Sequence, residues 1–192
     1  MINSVTHENN SVKSGNFWSH QVDTDGKLSV CFATAFRFAN YLNLTRTAKN
    51  LPEGTVICNP RLIAGLEHVE AVLLQTRAYW KRDERLARNG SIEILMRISC
   101  SSQISEALEA SALNNVNKIA LLGLTSSLKE VDRIVKRFQS EPYSAVASPD
   151  LLGLDERKAI WLKKFHGLPQ NLSDNQLRVA LQERSVLLIF SS

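Results

Sequence analysis

From Leu28 to Phe138 the chain switches repeatedly between two hydrophobic periods, and this alternation constrains the fold more than any single residue does. Short runs dense in Val, Ile, Cys and Phe suit strands buried on both faces, whereas apolar residues three and four apart suit helices with one covered side. Leu28 to Ala35, with Val30, Cys31, Phe32 and Thr34, predicts a buried strand, followed by a helix to Lys49 that Pro52-Glu53-Gly54 ends. Thr55-Val56-Ile57-Cys58 is a second strand, and Asn59-Pro60 behind it supplies an N-cap and a proline at the first helical position. The helix opened there carries Leu62, Leu66, Val69, Leu73 and Trp80 as its core stripe and closes at Asn89-Gly90. Ser91 to Ser99 sets Ile92, Ile94, Met96 and Ile98 against Glu93, Leu95 and Arg97, which predicts a third strand. Ser101 or Ser102 caps a helix to about Ala112, and Ile119 to Leu124 is another buried strand. Ser127 and Glu130 form a capping box for a helix with Leu128, Val131, Val135 and Phe138. Beyond Pro142 the alternation gives way to two helices, Asp150 to Phe165 and Ser173 to Glu183, the latter with a Ser173/Gln176 capping box, and then to a final strand within Ser185 to Phe190.

Such a pattern predicts an α/β (α+β) fold: a single domain over residues 26–192, with one mixed sheet and helices packed on it. An apolar fraction of 44% in 192 residues closes one core and argues against two large domains. Residues 1–25 are rich in Ser and Asn and read as a flexible polar tail, with Phe17 and Trp18 available to dock it. The start lacks the basic region and apolar run of a signal peptide, and no stretch approaches a membrane span. Cys31, Cys58 and Cys100 are widely spaced in apolar segments, as buried reduced thiols are. The expectation is a cytoplasmic protein with no membrane contact, the nucleus being the alternative for a eukaryotic source.

Several chemistries lack their residues. His7, His20, His68 and His166 form no pair at helical spacing and no C-x-x-C occurs, so no metal is expected. No G-x-x-x-x-G-K or G-x-G-x-x-G offers a phosphate loop, so no cofactor is expected either. Cys100-Ser101-Ser102 at a helix start is the one arrangement that would lower a thiol pKa, but a buried cysteine beside a serine cap is the commoner meaning. Glu67 and His68 are helix neighbours pointing about 100° apart and do not form an acid/base pair. No catalytic residue is assigned.

One helix face suggests binding. Arg61, His68, Gln75 and Arg82 recur at heptad spacing, interleaved with Ala64, Ala71 and Ala78. Small residues admit close approach of a base or backbone, and Arg, His and Gln supply donors to phosphates and base edges; a solvated face rich in alanine is the competing explanation. Lys81, Arg82, Arg85 and Arg88 at the helix end add positive charge, diluted by Asp83 and Glu84. Gln103, where free N–H groups of the next helix are expected, and Arg97 on its predicted strand complete the candidate set. The net charge of +4 permits a phosphate-bearing partner without requiring one.

Asn59-Pro60-Arg61-Leu62-Ile63-Ala64-Gly65-Leu66-Glu67-His68-Val69, then Ser91-Ile92-Glu93-Ile94-Leu95, then Ser102-Gln103-Ile104-Ser105-Glu106-Ala107-Leu108, in that order, resembles the PRPK-binding protein family. This is the small tRNA-binding regulatory subunit of the KEOPS (EKC) complex, and Ala64-Gly65-x-Glu67-His68 is closest to its archaeal form. Similarity extends over roughly residues 28–190. The resemblance implies a non-catalytic subunit that binds an atypical kinase-like ATPase and, in archaeal-type members, the single-stranded CCA end of tRNA during threonylcarbamoyladenosine modification. It implies no small-molecule substrate. Family members of this type commonly carry Arg immediately before Gln-Ile, where this chain has Ser102. Its loss removes a phosphate contact, leaving Arg61, Arg97 or the basic helix end to supply one. The alternatives are a protein-only adaptor of the kinase subunit and a small thiol-dependent enzyme using Cys100.

Overall fold

The computed structural model describes residues 11–14, 16–24 and 27–188; residues 1–10 of the expected tail and 189–190 of the expected last strand lie outside the described residues. The strands are β1 (Ser11–Ser14), β2 (Phe17–Thr24), β3 (Lys27–Leu42), β4 (Thr55–Cys58), β5 (Val116–Thr125) and β6 (Val146–Ala147). The helices are α1 (Thr45–Lys49), α2 (Leu66–Lys81), α3 (Gly90–Ser99), α4 (Ile104–Ser111), α5 (Leu128–Gln139), α6 (Glu156–Phe165) and α7 (Asp174–Leu187), with 3-10 turns at Pro60–Leu62 and Pro149–Leu152. The fold is α+β, a single sheet with helices packed around it. Its strand order is β1-β2-β3-β5-β4, with β6 beside β3. Every described pairing is antiparallel, where a mixed sheet was expected.

The two sheet faces differ in bulk, and this sets the layers. Val30, Phe32, Phe36, Phe38, Ile57, Ile119 and Leu121 face α5, whose Val131, Ile134, Val135 and Phe138 close that side. Phe138 stacks on Phe36 at 5.4 Å between ring centroids. The opposite face is lined by the smaller Cys31, Ala33, Ala35, Cys58 and Ala120, which admit α2 and α3 through Val69, Val72, Leu73, Ile94 and Ile98. Outside this layer, Ala159 and Leu162 of α6 and Leu177 and Leu181 of α7 pack on Ala64. Among the described residues no helix is long and apolar enough to cross a membrane.

Four expectations are corrected. Ser11–Ser14 and Phe17–Thr24 are not a loose tail but strands β1 and β2, with Phe17 and Trp18 only 8% and 7% exposed. They cover an edge of β3 that would otherwise be open, a long-range pairing that local Ser and Asn content conceals. The helix expected after Ala35 is instead a continuation of β3, because Phe36 and Phe38 extend the period-two face of Val30 and Phe32; only Thr45–Lys49 turns helical.

Ser91–Ser99 is helical. Residues 93–99 are all buried, so α3 has no exposed stripe and its apolar positions alternate by accident. Asn89 caps it, its Oδ1 accepting from the N–H groups of Ser91 and Ile92 at 2.9 and 3.1 Å. Finally, the last strand is replaced by the continuation of α7 to Leu187, opened by the expected capping box of Ser173 and Gln176.

Candidate functional site

The heptad face does not exist as one surface. After the turn Pro60–Leu62, Ile63 to Gly65 leave the helical path, with Gly65 at φ 117°, and α2 starts afresh at Leu66. Arg61 is exposed, its N–H held by Asn59 Oδ1 at 3.0 Å. His68 is fully buried, its Nδ1 accepting from the Ala64 N–H at 3.2 Å. Gln75 lies against α7, where its Oε1 accepts from Ser185 Oγ at 2.8 Å. Arg82 is exposed but engaged locally, 3.2 Å from Glu84 and 4.6 Å over the Tyr79 ring. Arg85 behaves likewise, reaching Asp83 at 3.5 Å and the Trp80 ring at 5.7 Å.

Arg97 is not at the surface. It is completely buried, with Nε and Nη2 donating to Glu93 Oε1 at 3.1 and 2.9 Å and Nη1 to the Ser185 carbonyl at 3.0 Å. Gln103 is exposed at the N-cap of α4; its N–H donates to Ser101 Oγ at 3.1 Å, and that hydroxyl donates to Glu106 at 2.7 Å. Of the six candidates, Arg61, Gln103 and Arg82 are exposed, the last at the far end of α2, and the other three are packed into the protein.

Arg61 lines a concavity of about 650 Å³ between the Asn59–Arg61 turn, the α3–α4 junction and the C-terminal helices, and Gln103 lies outside its lining. A volume of this size lies within the range of small-ligand sites. Trp161 and Phe165, four residues apart on α6, stack at 4.7 Å, and Phe165 meets the His166 ring edge-on at 4.8 Å. Arg184 donates to the His166 carbonyl at 2.5 Å and holds the end of α6. Arg61 and Arg184 are balanced by Glu106 and Glu109, so the site is aromatic and polar rather than cationic. Trp161, Phe165, His166 and Arg184 escaped the sequence reading; the Trp161/Phe165 spacing beside Lys163-Lys164 was their only local signal.

Two imidazoles are held in unusual states, His166 in the lining of this site and His68 in the core. Burial, reinforced by His166, lowers the His68 pKa from 6.5 to about 3. Burial and Arg184 lower that of His166 to about 4. Both rings are therefore neutral at pH 7, and each Nε2 is buried without a hydrogen-bond partner among the described residues. With Nδ1 of His68 accepting, its proton sits on Nε2.

Cys100 ends α3 in the left-handed conformation, φ 50°, and its thiol donates to the Leu181 carbonyl at 3.4 Å. Burial raises its pKa to about 12, so the cap position supplies no activated thiolate. Among the described residues no group of three or more His, Cys, Asp and Glu side chains is placed to hold a metal ion. Stacked rings, hydrogen-bonding groups and the exposed guanidinium groups of Arg61 and Arg184 are what the concavity provides, which suits an unstacked base with its phosphate. Compared with known proteins, the chain matches no family model and no curated protein.

Proposed function

We propose that this chain is the small, non-catalytic, RNA-contacting subunit of a KEOPS-type complex for threonylcarbamoyladenosine modification of tRNA, acting in the cytoplasm beside a kinase-like ATPase. One observation carries the reading beyond sequence resemblance. The Asn59–Arg61 turn and the Ser101–Glu106 segment, which belong to two separate motifs of the resemblance, converge on one concavity whose third wall is aromatic. A terminal base stacked on Trp161 or Phe165, with its phosphate at Arg61, uses the aromatic wall and the turn. Ser102 follows the lining residue Ser101 in place of the family's arginine, which leaves Arg61 and Arg184 as the cations of the site.

Binding of the purified chain to tRNA with and without its 3′ CCA is the direct test. The expected result is a clear preference for the intact end, with Arg61→Glu weakening it and lowering the salt slope by about 0.7 per lost single-strand phosphate contact. Equal affinity for both tRNAs removes terminal-nucleotide recognition. A second reading, a protein-only adaptor, draws on Ile104 and Leu108 of α4, which expose 47% and 50% of their surface on one helix face beside the site. Co-purification of the kinase-like subunit without any tRNA affinity would favour that adaptor.

A further inference from the structure

Next to the aromatic concavity lies a second one of about 660 Å³, and the two share Asn59, Arg61 and Trp161 as a common wall. Their chemistry differs. The second brings Arg37, Arg61, Lys118, Arg157 and Lys158 together against only Asp150 and Asp155. Both carboxylates are occupied within the protein: Asp150 accepts from Arg37 at 2.9 Å, and Asp155 caps α6 by accepting from the Lys158 N–H at 2.8 Å. Lys158 Nζ in turn donates to the carbonyls of Leu151 and Gly153. The side chains of Arg61, Lys118 and Arg157 have no hydrogen-bond or ion-pair partner among the described residues.

The sheet register adds an independent observation. Arg37 on β3 stands directly opposite Lys118 on β5, so the two side chains leave the same face as neighbours. Like charges in that position repel and cost stability, and only Arg37 has a carboxylate to offset it. An anion placed over the pair relieves the repulsion. Tyr41, 64% exposed, stands at the outer part of the same concavity as a free aromatic surface.

We infer that this second concavity is a phosphodiester track: the backbone of single-stranded RNA leading to the terminal nucleotide lies along Lys118, Arg157 and Arg61 before its end enters the aromatic concavity past Trp161. The inference rests on the RNA-contacting reading above and deepens it by dividing the work, phosphates in one cavity and the terminal base in the other. Spaced cations with an exposed ring beside them are the usual equipment for holding a strand without reading its sequence. An acidic protein segment is the competing occupant.

The test uses the full chain and two fluorescent RNA probes, a CCA trinucleotide and a single strand of roughly ten nucleotides ending in CCA. The longer probe should bind at least about tenfold tighter, with a steeper salt dependence. The double variant Lys118→Glu/Arg157→Glu should abolish that advantage and leave trinucleotide binding unchanged; both residues are exposed, so its melting temperature should stay at the parent value. Lys118→Gln/Arg157→Gln should act in the same direction more weakly. Equal binding of the two probes overturns the track and spares the terminal-base reading, and a double variant that binds the long probe like the parent overturns it too. Binding of the long probe alone, lost in the variant, upholds the track and removes the terminal-base reading. If neither probe binds, both fail, and loss of kinase-subunit capture in the variant then identifies the surface as a protein contact.

Discussion

Arg61 and Arg97 are the same residue type, yet their environments assign them opposite work. Arg97 pairs with Glu93 where both side chains are fully buried, and Trp80 Nε1 donates to the second carboxylate oxygen at 2.6 Å. Removing the guanidinium leaves a buried carboxylate without its counter-charge, so Arg97→Met should lower unfolding free energy by about 3–5 kcal/mol in denaturant titration. A loss under 1 kcal/mol would mean that Glu93 finds another partner. His68 makes a second residue-scale prediction. Its pKa falls from 6.5 to about 3 on folding and that of His166 to about 4, so below pH 6.5 the unfolded chain takes up protons that the native protein refuses. Their contribution is complete above about 6.5, declines as pH falls, and is gone once pH has passed through about 4 and then about 3. His68→Asn keeps an acceptor near the Ala64 N–H and cannot titrate; its melting temperature should therefore drop less between pH 7 and pH 5 than the parent's. The sequence could not separate a buried arginine or histidine from an exposed one, because what decides is the wall formed by α7, more than eighty residues downstream.

Helix α3 shows why local pattern misleads at the scale of the element. A helix surrounded by sheet and other helices has no polar face to print a 3.6-residue period, and its Ile and Met positions then pass for strand alternation. Two marks did carry the right answer: the Asn89 cap, and Glu93 four residues before Arg97. The glycine at the first position of the helix is a matter of packing. A Cβ on Gly90 would fall 1.7 Å from Cη2 of Trp80, whose ring is tied to Glu93. Gly90→Ala should therefore cost roughly 1–3 kcal/mol by overpacking, although alanine favours helix. A stabilised variant in thermal melts would show that Trp80 moves aside freely. Where a helix has one wet side, as α5 and α7 do, caps and apolar spacing were legible: α7 forms the expected capping box, while at α5 Ser127 caps but Glu130 accepts from Ser126 rather than from Ser127. The extent of β3 was not, since its partners β2 and β6 lie in segments of unremarkable composition.

For the whole molecule, the α+β class followed from alternating periods, but the sheet's first two strands did not, and neither did the site's far wall. Both depend on which distant segments meet: β2 on β3, and α6 and α7 on the Asn59–Arg61 turn. Deleting residues through Thr24 removes β1 and β2 and leaves one edge of β3 unpaired, with Cys31 and Ala33 losing their cover. That truncation should shift the protein from a single monodisperse species to aggregates in size-exclusion chromatography; an unchanged, soluble profile would show that the helices alone protect β3. Trp161, the wall common to the two concavities, has a consequence of an optical kind. Trp18 is in the core and Trp80 is fastened to Glu93, so the indole of Trp161 is the chromophore that a ligand in either cavity touches. The protein thus carries its own emission signal for occupancy, readable without a label on chain or ligand.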